Sequence, residues 1–112
     1  MLTIDALREY GANVDEGLSR CINNEALYLR LVGTVVDEKS FDRLHEALSE
    51  NNLDEAFEAA HALKGALGNL AITPIYDKVV EITELLRART KMDYSSLEDE
   101  IKAKREELRK LI

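Results

Sequence analysis

The sequence predicts an all-α fold: an up-down antiparallel four-helix bundle with short additional N-terminal helices. Three observations lead there. Apolar residues recur at three- and four-residue steps along most of the chain. Helix start signals precede most of these stretches. Short links join the stretches, which sets consecutive amphipathic helices side by side and antiparallel. Composition agrees, because one proline and five glycines in 112 residues, with 46% hydrophobic and 33% charged side chains, suit helices better than a turn-rich sheet protein. That length suits one domain, residues 1–112, with one modest core.

The elements follow in order. Thr3 caps a short helix that runs through Tyr10 and is closed by Gly11. Asn13, with Glu16 three residues on, starts a second, whose stripe is Val14, Leu18, Cys21 and Ile22. This N-terminal pair, about 3–23, is expected to pack on a bundle spanning about 24–112. From Asn24 the pattern runs through Leu27, Leu31 and Val35 and resumes at Phe41, Leu44 and Leu48. Its phase slips near Asp37–Ser40, so 25–49 reads as one kinked helix or as two. Asn52 with Glu55 starts a helix over 53–70 carrying Leu53, Ala56, Phe57, Ala60, Leu63 and Leu67. Thr73-Pro74 opens 74–89, since proline is favoured in a first turn. Asp93 opens 94–111, where Tyr94, Leu97, Ile101, Leu108 and Leu111 keep a heptad-like spacing.

Charge and cysteine usage narrow the function. Fifteen basic against 22 acidic side chains leave a net charge of −7, which argues against nucleic-acid binding through phosphate neutralisation. The single cysteine, Cys21, forms no intrachain disulfide and reads as a buried thiol in a reducing compartment. The N-terminal residues lack the apolar stretch of a signal peptide, and no apolar run approaches the roughly 20 residues that span a bilayer. A cytoplasmic monomer without membrane contact is the expectation.

One helix carries a candidate site. On a wheel from Leu53, at about 100° per residue, the apolar stripe centres near roughly 310°. His61 lies at about 80°, Lys64 at about 20°, Gly65 at about 120° and Gly68 at about 60°. All four share an arc beside the core stripe, with Lys64 and Gly65 one turn above His61 and Gly68 two turns above. A neutral imidazole is a nucleophile near pH 7. An ammonium one turn away can hold an anion on that ring through charge-assisted hydrogen bonds. Glycines cost a helix interior about 1 kcal/mol each, and here they clear the side chains that would crowd the imidazole.

The segment His61-Ala62-Leu63-Lys64-Gly65-Ala66-Leu67-Gly68-Asn69-Leu70 resembles the histidine-containing phosphotransfer (HPt) domains, whose hallmark is H-x-L-K-G followed by small residues. The resemblance runs from about Asn24 to Arg87. It departs from the family pattern at Ala71, where a glycine is common. It implies that His61 is the phosphorylated nucleophile and that Lys64 stabilises the phosphoryl group. Gly65 and Gly68 would admit the partner. The phosphoryl group would come from an aspartate of a response-regulator receiver domain and pass to another, with a hybrid histidine kinase as a further partner. The chain would be a phosphocarrier in a two-component phosphorelay rather than an ATP-dependent kinase. It would hold no cofactor of its own, the receiver supplying Mg²⁺. The lack of a Gly-rich phosphate loop fits that division of labour.

Other chemistry fares worse. His45 has no following lysine-glycine pair and reads as a solvated rim residue. Glu58-x-x-His61 and Asp42-x-x-His45 echo the steps of di-iron bundles, yet Glu58 lies at about 140° on the wheel, opposite the core. No Cys/His cluster suggests zinc. The competing function is a non-catalytic helical-bundle interaction module.

Overall fold

Helix starts are built from side chains that supply acceptors to unpaired backbone N–H groups. Thr3 Oγ1 accepts from Ala6 N–H at 3.1 Å, Asn13 Oδ1 from Glu16 at 3.3 Å and Asn24 Oδ1 from Leu27 at 3.0 Å. Asn52 Oδ1 accepts from Glu55 at 3.1 Å. Such caps contribute about 1 kcal/mol each. The computed structural model describes residues 1–112 as seven helices: α1 (Ile4–Tyr10), α2 (Val14–Arg20), α3 (Glu25–Val35), α4 (Ser40–Ser49), α5 (Leu53–Asn69), α6 (Thr73–Arg87) and α7 (Ser95–Arg109).

The segment 25–49 is two helices, so the first of the four long helices is broken. Helix α3 stops at Val35 and α4 starts only at Ser40, which is where the apolar phase slips, and Val35 and Val36 are both buried at the break. The break leaves carbonyls without helical partners. Arg105 Nε of α7 donates to Val36 O at 2.7 Å, and Arg109 adds a second bond at 3.3 Å. Arg109 also pairs with Asp37 at 2.9 Å, so α7 holds the break in place.

From α4 onward each helix packs on the next. Three-residue links, 50–52 and 70–72, force the chain to reverse between packed neighbours. Helix α7 closes the bundle on α4, where the Arg105 guanidinium lies 4.3 Å from the Phe41 ring centroid. Ala56, Ala60, Leu63 and Leu67 of α5 meet Ile75, Val79, Ile82 and Leu86 of α6, all fully buried. Alanines on that face let the helices approach closely.

The N-terminal pair packs where α5 turns into α6. Asn13 N–H donates to Ala71 O at 3.0 Å, and the buried Tyr28 hydroxyl donates to Leu70 O at 2.9 Å. Gly17 is needed there, because a Cβ would sit 2.5 Å from the Tyr28 ring and 2.7 Å from the Leu70 carbonyl. Local spacing in 14–20 gives no reason to single it out. Cys21 is buried as expected. Ile22 is not on that stripe: it is 81% exposed. Helix α2 stops at Arg20, and Ile22 and Asn23 take positive φ, 52° and 58°, to reverse the chain into α3. No helix is long and apolar enough to cross a membrane.

Candidate functional site

His61 lies in the middle of α5, between the buried positions Ala60 and Leu63, and its side chain is exposed. The chain supplies that arrangement through helical spacing alone, since Ala60, Leu63 and Leu67 occupy the inner face. Lys64 is half-buried and Gly65 exposed, one turn toward the C-terminus. A Cβ on Gly65 would meet nothing within 4 Å. Packing against a neighbouring helix therefore does not explain this glycine.

Gly68 differs. A Cβ there would come within 3.0 Å of the Tyr76 ring of α6, so this glycine makes a close helix contact in addition to the partner access expected of it. Lys64, Gly65 and Gly68 together line one groove of about 490 Å³, with Asn13, Glu16 and Arg20 on the α2 side and Tyr76 and Asp77 on the α6 side. His61 is not part of that lining and stands one turn below it.

The His61 ring stacks on Phe57, one turn toward the N-terminus, with centroids 5.8 Å apart and planes inclined by 25°. Phe57, one of the apolar residues the helix was expected to carry, is half-buried and packs against the core from its edge. The guanidinium carbons of Arg87 and Arg89 lie 5.1 and 5.0 Å from the Phe57 centroid. Arg89 also pairs with Asp54 at 2.6 Å. The i,i+4 step from Phe57 to His61 was a readable signal for the stack. The arginines follow from how α6 ends, which the local pattern does not give.

His45 sits on α4, its Nδ1 2.7 Å from the Glu98 carboxylate of α7. Glu58 and Asp42 are exposed, and nowhere do three or more His, Cys, Asp or Glu side chains gather as metal ligands.

An exposed histidine on the second helix of a four-helix bundle, followed by lysine and an unfilled glycine, is thus on one face. A match to the family model described as Hpt domain covers residues 38–111. This chain belongs to the Hpt domain family. Hpt domains carry out histidine phosphotransfer in two-component systems and interact with receiver domains and histidine kinases. The matched stretch takes in α4 to α7 and begins later than the resemblance that started near Asn24. Helices α1 to α3 of this Hpt domain lie outside it, although α2 contributes a wall of the groove beside Lys64. Neither a curated protein nor a solved structure shows a significant match to the chain.

Proposed function

We propose that His61 is the phosphoryl acceptor of this Hpt domain, taking the group from a receiver-domain aspartate and passing it to another receiver. One observation carries the choice between the two exposed histidines: His61 has open space one turn on, at Gly65, whereas His45 is held by Glu98. In the forward step an imidazole nitrogen uses its lone pair to form the N–P bond. The O–P bond of the aspartyl phosphate breaks, and the aspartate leaves as a carboxylate with that electron pair. The other ring nitrogen keeps its proton, so the ring takes the positive charge. Lys64 stabilises the transferred phosphoryl oxygens, Gly65 leaves room for the receiver, and the receiver supplies Mg²⁺. Positioning and electrostatics do most of the work in such a transfer, which suits a site this small. The expected setting is the cytoplasm.

The test is incubation with a panel of phosphorylated receiver domains, followed by mapping of the label. The label should be acid-labile, because a phosphoramidate nitrogen becomes a good leaving group once protonated. His61→Gln should abolish uptake and His45→Gln should leave it intact. Label persisting on the His61→Gln protein would sink the assignment. No label from any receiver would favour a module that docks partners without chemistry.

A further inference from the structure

We propose that Phe57 is a positioning residue for the His61 imidazole, held in place by the guanidinium groups of Arg87 and Arg89. The inference rests on His61 being the acceptor.

Side chains on a helix lean toward its N-terminus, so His61 leans over the turn that carries Phe57. The observed stack, at 5.8 Å and 25°, lies within the range of favourable offset aromatic pairs. One side of the imidazole is thereby occupied, while the turn toward the C-terminus presents the open space over Gly65. An exposed histidine otherwise samples several rotamers. Restricting it to one approach direction favours a reactive geometry, and that geometry is where a phosphotransfer site with few groups has most to gain.

Phe57 is itself restrained. Arg87 and Arg89 both lie within the roughly 6 Å of a ring centroid at which a cation–π attraction acts. Arg89 reaches the ring from an unusual backbone: it is a non-glycine residue with φ 53°, in a region that costs an L-residue free energy. Its guanidinium is fixed by Asp54 at 2.6 Å and by the Leu86 carbonyl at 2.7 Å. Asp54 lies one turn before Phe57 on α5. The end of α6 is thus tied to the helix that carries the acceptor, with Phe57 between them. If Phe57 served only to cover the core, a half-buried ring beneath two guanidiniums and beside the acceptor would need no such arrangement.

The experiment compares Phe57→Leu, which keeps apolar bulk without a ring, with Phe57→Tyr, which keeps the ring. The donor is the phosphorylated receiver that labels the wild-type chain fastest in the panel described above. The readouts are His61 side-chain couplings by NMR, the maximal transfer rate, the half-saturating receiver concentration and the melting curve. Phe57→Leu should average the His61 couplings and lower the maximal rate about threefold to tenfold, with the half-saturating concentration unchanged. Phe57→Tyr should restore both. A double variant, Arg87→Gln with Arg89→Gln, leaves the ring but removes its restraint, and it should give a smaller loss of the same kind. That variant decides the matter if Phe57→Leu fails to fold.

A single His61 rotamer with an unchanged maximal rate in Phe57→Leu would overturn the proposal. So would a change confined to the half-saturating concentration, which would make Phe57 a docking contact. These outcomes leave the His61 assignment standing, because that fails only if His61→Gln still takes up label.

Discussion

Tyr76 of α6 holds its ring against the bare Cα of Gly68 in α5, close enough that a Cβ at Gly68 would lie 3.0 Å away. Gly65, three residues earlier on the same helix, faces open space. The two glycines of the motif therefore answer to different constraints. Gly65→Ala should raise stability by up to about 1 kcal/mol through helix propensity, or about 4 °C in a domain of this size. Gly68→Ala should gain less or lose, because the Tyr76 ring must move aside. Melting curves of the two variants check this, and equal gains would show that Tyr76 yields freely.

Ala71 gives a second prediction about the same corner. It follows α5 with φ 54°, at the position where the family often has glycine, and its carbonyl accepts from Asn13 N–H. A left-handed backbone costs an L-residue roughly 1–2 kcal/mol. Glycine relieves that strain but adds unfolded-state entropy and loses a buried methyl group. Ala71→Gly should therefore be neutral to stabilising, by at most about 1 kcal/mol. Ala62→Gly, in the exposed middle of α5, should cost about 1 kcal/mol. Urea midpoints for both variants decide, and equal losses would remove the strain argument.

A third prediction concerns Tyr28 and alkaline pH. Burial pushes its phenol up to about 12, the nearby Cys21 adds to the shift and Arg8 opposes it. A group whose folded value is raised keeps its proton in the folded state while the unfolded chain loses it. Tyr28 therefore stabilises fully below about pH 10, and that contribution disappears as pH rises toward about 12. Burial also raises Tyr10 and Tyr94, so Tyr28→Phe should flatten this alkaline loss only in part. At neutral pH the same variant should cost about 1 kcal/mol, since the Leu70 carbonyl loses its partner. Denaturation midpoints at pH 8 and pH 11 check both signs.

Helix ends and inner faces were legible in the sequence because they depend on neighbours a few residues apart. Thr3, Asn13 and Asn52 cap where their spacing predicts, and Leu63 and Leu67 are buried where the wheel puts them. Long-range contacts were not legible. Gly17 is set by Tyr28 and Leu70, the break after α3 is held by Arg105 and Arg109 from α7, and the Phe57 ring is covered by arginines from the end of α6. Periodicity also misplaced Ile22, because a left-handed turn ended α2 before the stripe did. At the candidate site, the His-Lys-Gly spacing was readable within one helix. The partition of the two glycines between open space and Tyr76 required α6 to be in place.

The last prediction concerns Lys64, which is half-buried on the wall of the groove and one turn from His61. Residues three apart on a helix have neighbouring side chains, which is the ground for proposing that its ammonium contacts a phosphoryl group on the imidazole. A charge-assisted hydrogen bond contributes roughly 1.5–3 kcal/mol. If that contact strengthens as the phosphoryl group transfers, Lys64→Ala should slow transfer about tenfold or more. Lys64→Arg keeps the charge with a different donor geometry and should recover part of the rate. Neither variant should shift the melting curve by more than about 1 kcal/mol, since Lys64 is only half-buried and lines an open groove. Transfer time courses at two salt concentrations separate a local contact from general attraction, because screening acts mainly between exposed charges far apart. A rate loss that vanishes at high salt would assign Lys64 to steering the receiver. An unchanged rate at both concentrations would leave it a solubilising side chain.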